Sequence, residues 1–340
     1  MDKSSKVRST ILWAAAGVGL LVGIRLIAGI RRYELKDRVV LITGGSRGFG
    51  LVLARQLLEK GAKVAICSRT EEQLENARKE LEALGDVFAV TCDVTDESQV
   101  RQLVDKVISR FGQLDILINN AGTMQVGPQS VMTTTEYEEA MKVHFWAPLY
   151  TITACLPHFK ARKEGKIINI SSIGGKVAVP HMLPYSASKF ALVGLSEGMQ
   201  YELKRENIQV MTVAPYLMRT GSPRNITVKG DHEKEYAWFK TAGSSSRMSQ
   251  DPREAAKKII RGIEENRTHP TLSFMERFAT ISKELTPDIF GFAMTTFNAF
   301  LPKSGSAGHL SKKGYESESA ASQTPHARAG DAAALRNNEY

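Results

Sequence analysis

Residues 39–61 read VVLITGGSRGFGLVLARQLLEKG, an apolar run followed by a glycine-rich turn and a helical pattern. The VVLIT run is typical of a buried strand, and the spacing of Leu and Val after the turn is typical of a helix. Gly44, Gly48 and Gly50 permit a tight turn and a close approach of a ligand to the backbone. Because a helix amino terminus attracts phosphate, this stretch predicts a site for the pyrophosphate of a nucleotide.

The alternation of strand and helix continues as far as residue 274. Short runs rich in Val and Ile separate the helical patterns: VVLIT, KVAIC, VFAVTCDV, LDILINN, KIINIS, QVMTVAP and TLSF. Such alternation predicts an α/β domain over residues 38–274, a doubly wound parallel sheet with helices on both faces. Sheets of this kind bind ligands at the carboxyl ends of their strands.

An apolar segment precedes this domain. Residues 10–30 read TILWAAAGVGLLVGIRLIAGI, which is long enough to span a bilayer and carries one charge, Arg25. A cleavable signal peptide is the alternative, but no convincing cleavage site follows. We therefore predict that residues 1–37 form an N-terminal membrane anchor, a single transmembrane helix with a basic flank. The distribution of Lys and Arg favours a cytoplasmic domain after it.

The charge distribution and the cysteine content limit the kinds of partner and site that the sequence predicts. The formal net charge is +9, and more than half of it lies in residues 1–38, around the apolar segment. This location favours a membrane surface over a nucleic acid. Cys67, Cys92 and Cys155 have no Cys-x-x-Cys spacing. We therefore expect buried cysteines in a reducing compartment, with neither a disulfide framework nor a metal site.

Three regions complete the chain. Residues 216–250 carry no strand signal and are expected to form an insertion over the ligand site. Residues 275–302 form an apolar helical extension, which fits core helices and a lipid-contacting surface equally well. Residues 303–340, rich in Ser, Gly, Ala and charges, predict a disordered tail.

The second predicted strand ends in Ser68-Arg69, where a site selective for NAD would place an acidic residue. Arg69 and Arg47 instead provide guanidinium groups that bind a phosphate through a fork of donors. The pair favours NADP(H), whose adenosine ribose carries a 2′-phosphate. The alternative is that both are solvated surface arginines.

Ser172, Tyr185 and Lys189 form a candidate catalytic set. Four residues apart on a helix, Tyr185 and Lys189 share one face, so the ammonium can stabilise a phenolate. A tyrosine pKa lowered from about 10 suits general acid/base catalysis near neutral pH. Ser172, at the end of the KIINIS run, is placed to hydrogen-bond a substrate oxygen.

In register, these motifs resemble the short-chain dehydrogenases/reductases, a family with the Rossmann fold. The resemblance covers about residues 38–274 and rests on TGGSRGFG (43–50), Asp93-Val94, Asn119-Asn120-Ala121-Gly122, the Ser172, Tyr185 and Lys189 set, and Pro215 with Thr220. It implies hydride transfer between a nicotinamide and a carbonyl or alcohol carbon, with no metal. It also implies assembly as a homodimer or homotetramer. The cofactor-binding residues that it implies are Gly44, Ser46, Arg47, Gly48, Gly50, Arg69, Asp93, Val94, Asn119, Asn120, Gly122, Tyr185, Lys189, Pro215 and Thr220.

The resemblance also implies roles for the candidate catalytic residues. Tyr185 would donate the proton in reduction, Ser172 would position the oxygen, and Lys189 would bind the nicotinamide ribose and tune Tyr185. His144 occupies the position of the family's asparagine, where it could hold a water in a proton relay to Lys189 or could simply be packed. Tyr216 replaces the glycine that usually follows Pro215.

Two further histidines are candidates of lesser weight. His158 has neither partner carboxylates nor ligand spacing, so we expect a surface residue. His181 lies just before Tyr185, and a place at the substrate mouth is one alternative for it.

The function that follows is NADPH-dependent reduction of a carbonyl, or the reverse oxidation, on a small lipophilic substrate at a membrane. A different class of protein is also possible: a non-catalytic NADP(H)-binding protein that interacts with other molecules at a membrane.

Overall fold

The structure is a computed structural model that describes residues 32–245, 248–305 and 308–340. The strands in these ranges are β1 (Val39–Thr43), β2 (Lys63–Ser68), β3 (Val87–Thr91), β4 (Ile116–Asn119), β5 (Gln125–Val126), β6 (Gly165–Ile170), β7 (Ile208–Val213), β8 (Thr227–Val228) and β9 (Lys312–Lys313). A parallel sheet has the order β3-β2-β1-β4-β6-β7, and a small second sheet has the order β5-β8-β9.

The large sheet confirms the predicted doubly wound architecture. Its neighbours all pair in parallel, and the direction of strand order reverses between β1 and β4. The reversal opens a crevice at the carboxyl ends of these two strands. The TLSF prediction was wrong: residues 271–273 are irregular, and Phe274 begins a helix.

Helices cover both faces of the large sheet. They are α1 (Gly48–Glu59), α2 (Glu71–Glu82), α3 (Glu97–Phe111), α4 (Thr134–Met141), α5 (Ala147–Arg162), α6 (Leu183–Leu203), α7 (His232–Ser244), α8 (Pro252–Glu264), α9 (Phe274–Leu285), α10 (Pro287–Ala299) and α11 (Pro325–Arg336). A π-helical turn, Lys142–Trp146, joins α4 to α5.

Successive residues of a strand pack into two separate apolar cores, one on each face of the sheet. In β1, Val40 and Ile42 pack with α1, α2 and α8, whereas Val39 and Leu41 pack with α3, α5 and α6. This division follows from the period of two along a strand, which sends successive side chains to opposite faces. The two apolar layers hold the carboxyl ends of the strands in fixed positions.

The cysteines belong to this interior. Cys67, Cys92 and Cys155 are free thiols and are buried.

The apolar extension is not a pair of core helices. Its apolar side chains are largely exposed on α9 and α10, for example Phe274, Leu285 and Phe292. Other side chains of the pair, among them Phe278 and Met294, line a cavity.

Residues 303–340, which the sequence predicts to be a disordered tail, contain ordered elements in the structure. Residues 312–336 contain β9, two short 3₁₀ turns and α11. The helix is rich in small residues, and Ala327, Ala333 and Ala334 are buried in it. Lys240 of α7 pairs with both Glu318 and Asp331, at 2.7 and 2.9 Å. Close packing of small side chains and two ion pairs made by the buried Lys240 therefore order a segment of low hydrophobicity.

In the part of the chain that the structure describes, no helix is both long enough and apolar enough to cross a bilayer. The predicted transmembrane segment at residues 10–30 lies outside the described residues.

Candidate active site

The glycine-rich turn lies at the carboxyl end of β1 and is held by the loop after β4. Gly44 has φ of 63°, and a Cβ there would lie 2.9 Å from Ala121 Cα. Asn120 Nδ2 donates to the carbonyl oxygens of Thr43 and Gly44, both at 3.1 Å. A Cβ on Gly50 would lie 2.2 Å from Gly44 O. The turn therefore needs glycine because α1 and the β4 loop both press against its backbone.

A cavity of about 1070 Å³ extends from this turn along the strand ends. Most of the residues predicted to bind a cofactor line it. They are Gly44, Ser46, Arg47, Gly48, Arg69, Asp93, Val94, Asn120, Gly122, Tyr185, Lys189, Pro215 and Thr220. Ser172, His144 and Tyr216 line it too.

Asn119 lies behind the cavity wall, contrary to its predicted contact with the cofactor. Its Nδ2 donates to Asn169 Oδ1 at 2.9 Å, and its Oδ1 accepts from Thr151 Oγ1 at 2.6 Å. Asn169 in turn donates to Ser196. Asn119 is thus one member of a buried hydrogen-bonded network that ties β4 to β6, α5 and α6. Gly50 also lies behind the wall, where it allows α1 to pack.

Arg69 is mostly exposed at the adenosine end, with Nη1 3.9 Å from Asp93 Oδ2. Arg47 Nη1 lies 3.2 Å from Glu339 Oε2. The two predicted phosphate-binding arginines therefore lie at one end of the cavity, and a carboxylate from the end of the sequence already contacts one of them.

Ser172, Tyr185 and Lys189 come together at the opposite end. Ser172 follows β6, and the other two lie in the first turns of α6, which begins at Leu183 with Pro184 in its first turn. Proline suits that turn because its fixed φ is already helical. Lys189 Nζ donates to Ile170 O at 2.9 Å and lies 5.8 Å from the centre of the Tyr185 ring.

The electrostatics of this pair differ from the prediction. Burial raises the pKa of Tyr185 to about 12, and a hydrogen bond with Ser172 acts in the opposite direction. Burial lowers the pKa of Lys189 to about 7. Desolvation disfavours the charged form of each group, so the phenol stays protonated at neutral pH and the ammonium is readily lost.

His144 lies in the π-helical turn and is fully buried. Its Nε2 accepts the backbone N–H of Thr123 at 3.1 Å, so its Nδ1 carries the proton and donates to Ser188 Oγ at 2.7 Å. The imidazole ring packs edge-on against Tyr185, with centroids 5.3 Å apart. Burial, followed by the charge of Lys189, holds the pKa of His144 well below its usual range. Both nitrogens have protein partners, so this geometry suits positioning of Tyr185 better than a water relay.

His181 is not among the residues that line the cavity, so the alternative that places it at the substrate mouth does not hold. It is buried with its Nδ1 2.7 Å from Glu235 Oε1, while Glu235 Oε2 accepts from the Trp238 indole at 2.7 Å. His158 is half-buried rather than a surface residue, and its Nε2 accepts the backbone N–H of Leu114 at 3.1 Å.

The remaining wall of the cavity is apolar and is formed by residues of the predicted 216–250 insertion, of the 275–302 extension and of the segment just before Tyr185. They include Met182, Phe239, Met275, Phe278, Met294 and Phe297. Trp238 also lies on this wall, edge-on to Phe297, with ring centroids 6.5 Å apart. Helical periodicity alone could not distinguish such residues from ordinary core.

The turn suits a phosphate-bearing ligand on its own geometry. Arg47, the residue before α1, makes no side-chain hydrogen bond to the first turn of the helix. Gly48 has φ of 56°. A Cβ at this position would lie 2.6 Å from Glu339 Oε1, which occupies the space that glycine leaves free. An anionic group is therefore accommodated where a pyrophosphate approaches a helix amino terminus. The Arg47 guanidinium, the helix amino terminus and the face of Gly48 that carries no side chain fit a dinucleotide.

Residues 38–229 match the family model described as short chain dehydrogenase. The chain belongs to the short-chain dehydrogenase family. It is 36% identical over 238 residues to a 3-ketodihydrosphingosine reductase from Bacteroides thetaiotaomicron, which covers 69% of this chain and 80% of the relative.

Solved structures of short-chain dehydrogenases resemble it as well. One from Streptomyces avermitilis is 26% identical, covers 77% of this chain and 98% of its own, and has a TM-score of 0.65. An actinorhodin polyketide ketoreductase solved with NADPH is 29% identical, covers 68% of this chain and 94% of its own, and has a TM-score of 0.61.

As a short-chain dehydrogenase, the protein is an NAD(P)-dependent oxidoreductase that acts on the carbonyl or hydroxyl group of a small substrate. The dinucleotide, when bound, supplies or accepts the hydride.

Proposed function

We propose that this short-chain dehydrogenase uses NADPH to reduce a ketone on a long-chain lipophilic substrate. The observation that carries the proposal is the apolar wall from α7, α9 and α10, which is continuous with the pocket around Ser172 and Tyr185. An alkyl chain would bury against this wall while its carbonyl reaches the polar end. The reverse oxidation uses the same residues.

Ser172 and Tyr185 are proposed to bind the substrate oxygen and to move its proton. Tyr185, whose pKa burial raises to about 12, holds its proton at neutral pH and can donate it to the oxygen as negative charge develops there. The Ser172 hydroxyl donates a hydrogen bond to the same oxygen and stabilises that charge. A proton on Lys189 then stabilises the phenolate left on Tyr185.

His144 is proposed to act as a positioning residue. It holds Ser188, whose hydroxyl donates to the Tyr185 carbonyl at 2.9 Å. It also holds the loop at Thr123 beside the cavity.

Selectivity for NADPH is proposed to come from Arg47 and Arg69. Both line the adenosine end of the cavity, and Ser68 stands where a carboxylate would favour NAD. Their guanidinium groups suit a 2′-phosphate. The similar ketoreductase solved with NADPH is consistent with this choice.

The relative from Bacteroides thetaiotaomicron suggests the first substrate to test. It is named as a 3-ketodihydrosphingosine reductase, and a 3-keto sphingoid base combines a ketone with a long alkyl chain. Membrane anchoring through residues 10–30, with the domain in the cytoplasm, would keep the enzyme near such substrates. A homodimer or homotetramer is proposed from the family resemblance. Trp146, in the π-helical turn, and Phe190, on α6, are partly exposed.

The test is NADPH oxidation by purified protein in detergent, with 3-ketodihydrosphingosine, other long-chain ketones and a short hydrophilic ketone. We expect turnover of the long-chain ketones and a loss of at least about a hundredfold in kcat for Tyr185→Phe, because general acid catalysis contributes about that much or more. Tyr201→Phe, an exposed tyrosine on the same helix, is the matched control and should retain full activity. Tight NADPH binding without turnover of any ketone would refute the proposed reaction.

A further inference from the structure

The last residues of the sequence lie in the site that the dinucleotide needs. After α11, Asn337 O accepts the backbone N–H of Gly48 at 2.8 Å. Asn338 Nδ2 donates to Ser46 O at 2.9 Å and to Gln73 O at 2.8 Å. These bonds bring the segment onto the glycine-rich turn and the amino terminus of α1.

Glu339 is the anionic part of this contact. Glu339 is buried, with only 3% of its surface exposed. Its Oε2 accepts hydrogen bonds from Arg47 Nη1 at 3.2 Å and from Asn225 Nδ2 at 2.7 Å. Its Oε1 fills the space above Gly48 that only a glycine leaves open. A buried carboxylate therefore faces the positive end of the helix dipole together with a guanidinium.

A bound dinucleotide requires the same groups. Its pyrophosphate would approach the Gly48 N–H and the open face of that glycine, and Arg47 would face its 2′-phosphate. Two anions cannot occupy one cradle, because they overlap sterically and repel each other. Occupation by Glu339 and by the dinucleotide is mutually exclusive at this turn.

We propose that residues 337–340 are an internal competitor for the dinucleotide site, with the Glu339 carboxylate in the position of a cofactor phosphate. Cofactor binding then requires this segment to leave the turn. The inference rests on the proposed cofactor site but not on the proposed substrate.

The segment is tethered so that it can leave without loss of the fold. Helix α11 packs against α7 and the 220–225 loop, where a Cβ on Gly221 would lie 2.3 Å from Ala334 Cα. Lys240 anchors the same region through Glu318 and Asp331. These contacts are made before residue 337, so the last four residues can swing out while α11 stays docked.

The expected effect follows from a population shift. If residues 337–340 occupy the site in about nine molecules of ten, the apparent Kd for NADPH is about tenfold above its intrinsic value. Tethering favours the docked state because it gives the segment a high effective concentration at the turn.

The experiment measures NADPH binding by nucleotide fluorescence, without substrate. The full chain is compared with a chain that ends at Arg336 and with Glu339→Gln, which keeps the side-chain shape but removes the charge. We expect about tenfold tighter binding by the shortened chain and about threefold tighter binding by Glu339→Gln. Glu284→Gln, an exposed residue of α9, is the control and should not change the Kd.

An added peptide tests the same competition in trans. A synthetic peptide of residues 324–340 should weaken NADPH binding by the shortened chain, whereas a scrambled peptide should not. Unchanged or weaker binding by the shortened chain would overturn the proposal, since residues 337–340 would then be neutral or part of the cofactor site.

Hydrogen exchange on the unaltered full chain gives a readout that does not depend on the variants. Addition of NADP⁺ should speed amide exchange in residues 337–340, and slower exchange there would contradict the competition. Failure of both chains to bind NADPH would overturn the cofactor assignment and this inference together. Tight binding without ketone turnover would refute only the proposed substrate.

Discussion

Lys189 is buried beside Tyr185, and this burial lowers its pKa from 10.5 to about 7. In the unfolded chain the lysine regains its ordinary pKa. Between about pH 7 and pH 10 the unfolded state therefore binds more protons than the folded state, so the free energy of unfolding rises with pH in this window. Below about pH 7 both states hold the proton, and the dependence ends.

We predict that Lys189→Met abolishes this contribution. Above pH 7, the difference in unfolding free energy between the native protein and the variant should increase in favour of the native protein by up to about 1.4 kcal/mol per pH unit. Urea unfolding of the cofactor-free proteins at pH 7.5, 8.5 and 9.5 measures the difference. Lys204→Met, at an exposed lysine, is the control, and parallel pH curves for Lys189→Met and the native protein would disprove the burial effect.

His144 offers a second prediction, which separates positioning from proton relay. His144→Phe keeps an aromatic ring but leaves the Thr123 N–H and Ser188 without their partner, at a cost of about 1–3 kcal/mol in unfolding free energy. We expect kcat to fall about tenfold with little change in KM and with an unchanged shape of its pH profile, because the low pKa of His144 keeps it neutral.

Steady-state kinetics across pH and urea unfolding check this expectation. His158→Phe is the control, since it also loses one backbone hydrogen bond but lies away from the cavity. A pH profile that changes shape in His144→Phe would favour the relay.

At the scale of the element, α7 determines the form of the substrate cavity. Its Glu235 accepts from both His181 and Trp238, and so joins the segment before α6 to the aromatic wall. The carboxylate is fully buried, so neither partner can replace it with water. The orientation of Trp238 over the cavity therefore depends on one buried side chain.

We predict that Glu235→Ala lowers the unfolding free energy by about 3 kcal/mol, because it removes the partner of the buried His181 and of the part-buried Trp238 indole. With Trp238 released, KM for a long-chain ketone should rise several-fold while the Kd for NADPH stays unchanged. Glu233→Ala, at an exposed position of the same helix, is the matched control. A change in NADPH affinity in place of the change in KM would contradict a role confined to the substrate wall.

At the scale of the whole molecule, the core and the cavity can be traced through the described part of the chain, which begins at residue 32. The two apolar layers around the sheet draw on residues from Leu35 to Leu272, and the described residues that line the cavity run from Gly44 to Glu339. Hydride transfer should therefore not require residues 1–32.

We predict that deletion of residues 1–32 leaves kcat within about twofold of the full chain, because Ser172, Tyr185 and Lys189 all lie after the deleted segment, and that it releases the protein from membranes. Activity assays in detergent and sedimentation with liposomes measure the two effects. A shortened protein that still sediments would point to the exposed apolar side chains of α9 and α10 as a second attachment. A shortened protein without activity would show that the anchor supports the site.

The sequence by itself determined the sheet, the glycine turn and the convergence of Ser172, Tyr185 and Lys189. These features are encoded locally, in strand runs, in glycines that a turn requires and in the spacing of a helix face. Parallel connection then brings the strand ends to one edge.

Only the tertiary structure decided what the remaining polar groups contact. Asn119 faces a buried network, His144 has both nitrogens occupied, and Glu339 lies on the glycine turn. Each outcome depends on partners distant in sequence, such as Arg47 and Glu339, which no local pattern relates. The side chains that fill a site are selected by packing between elements, and that packing exists only in the folded chain.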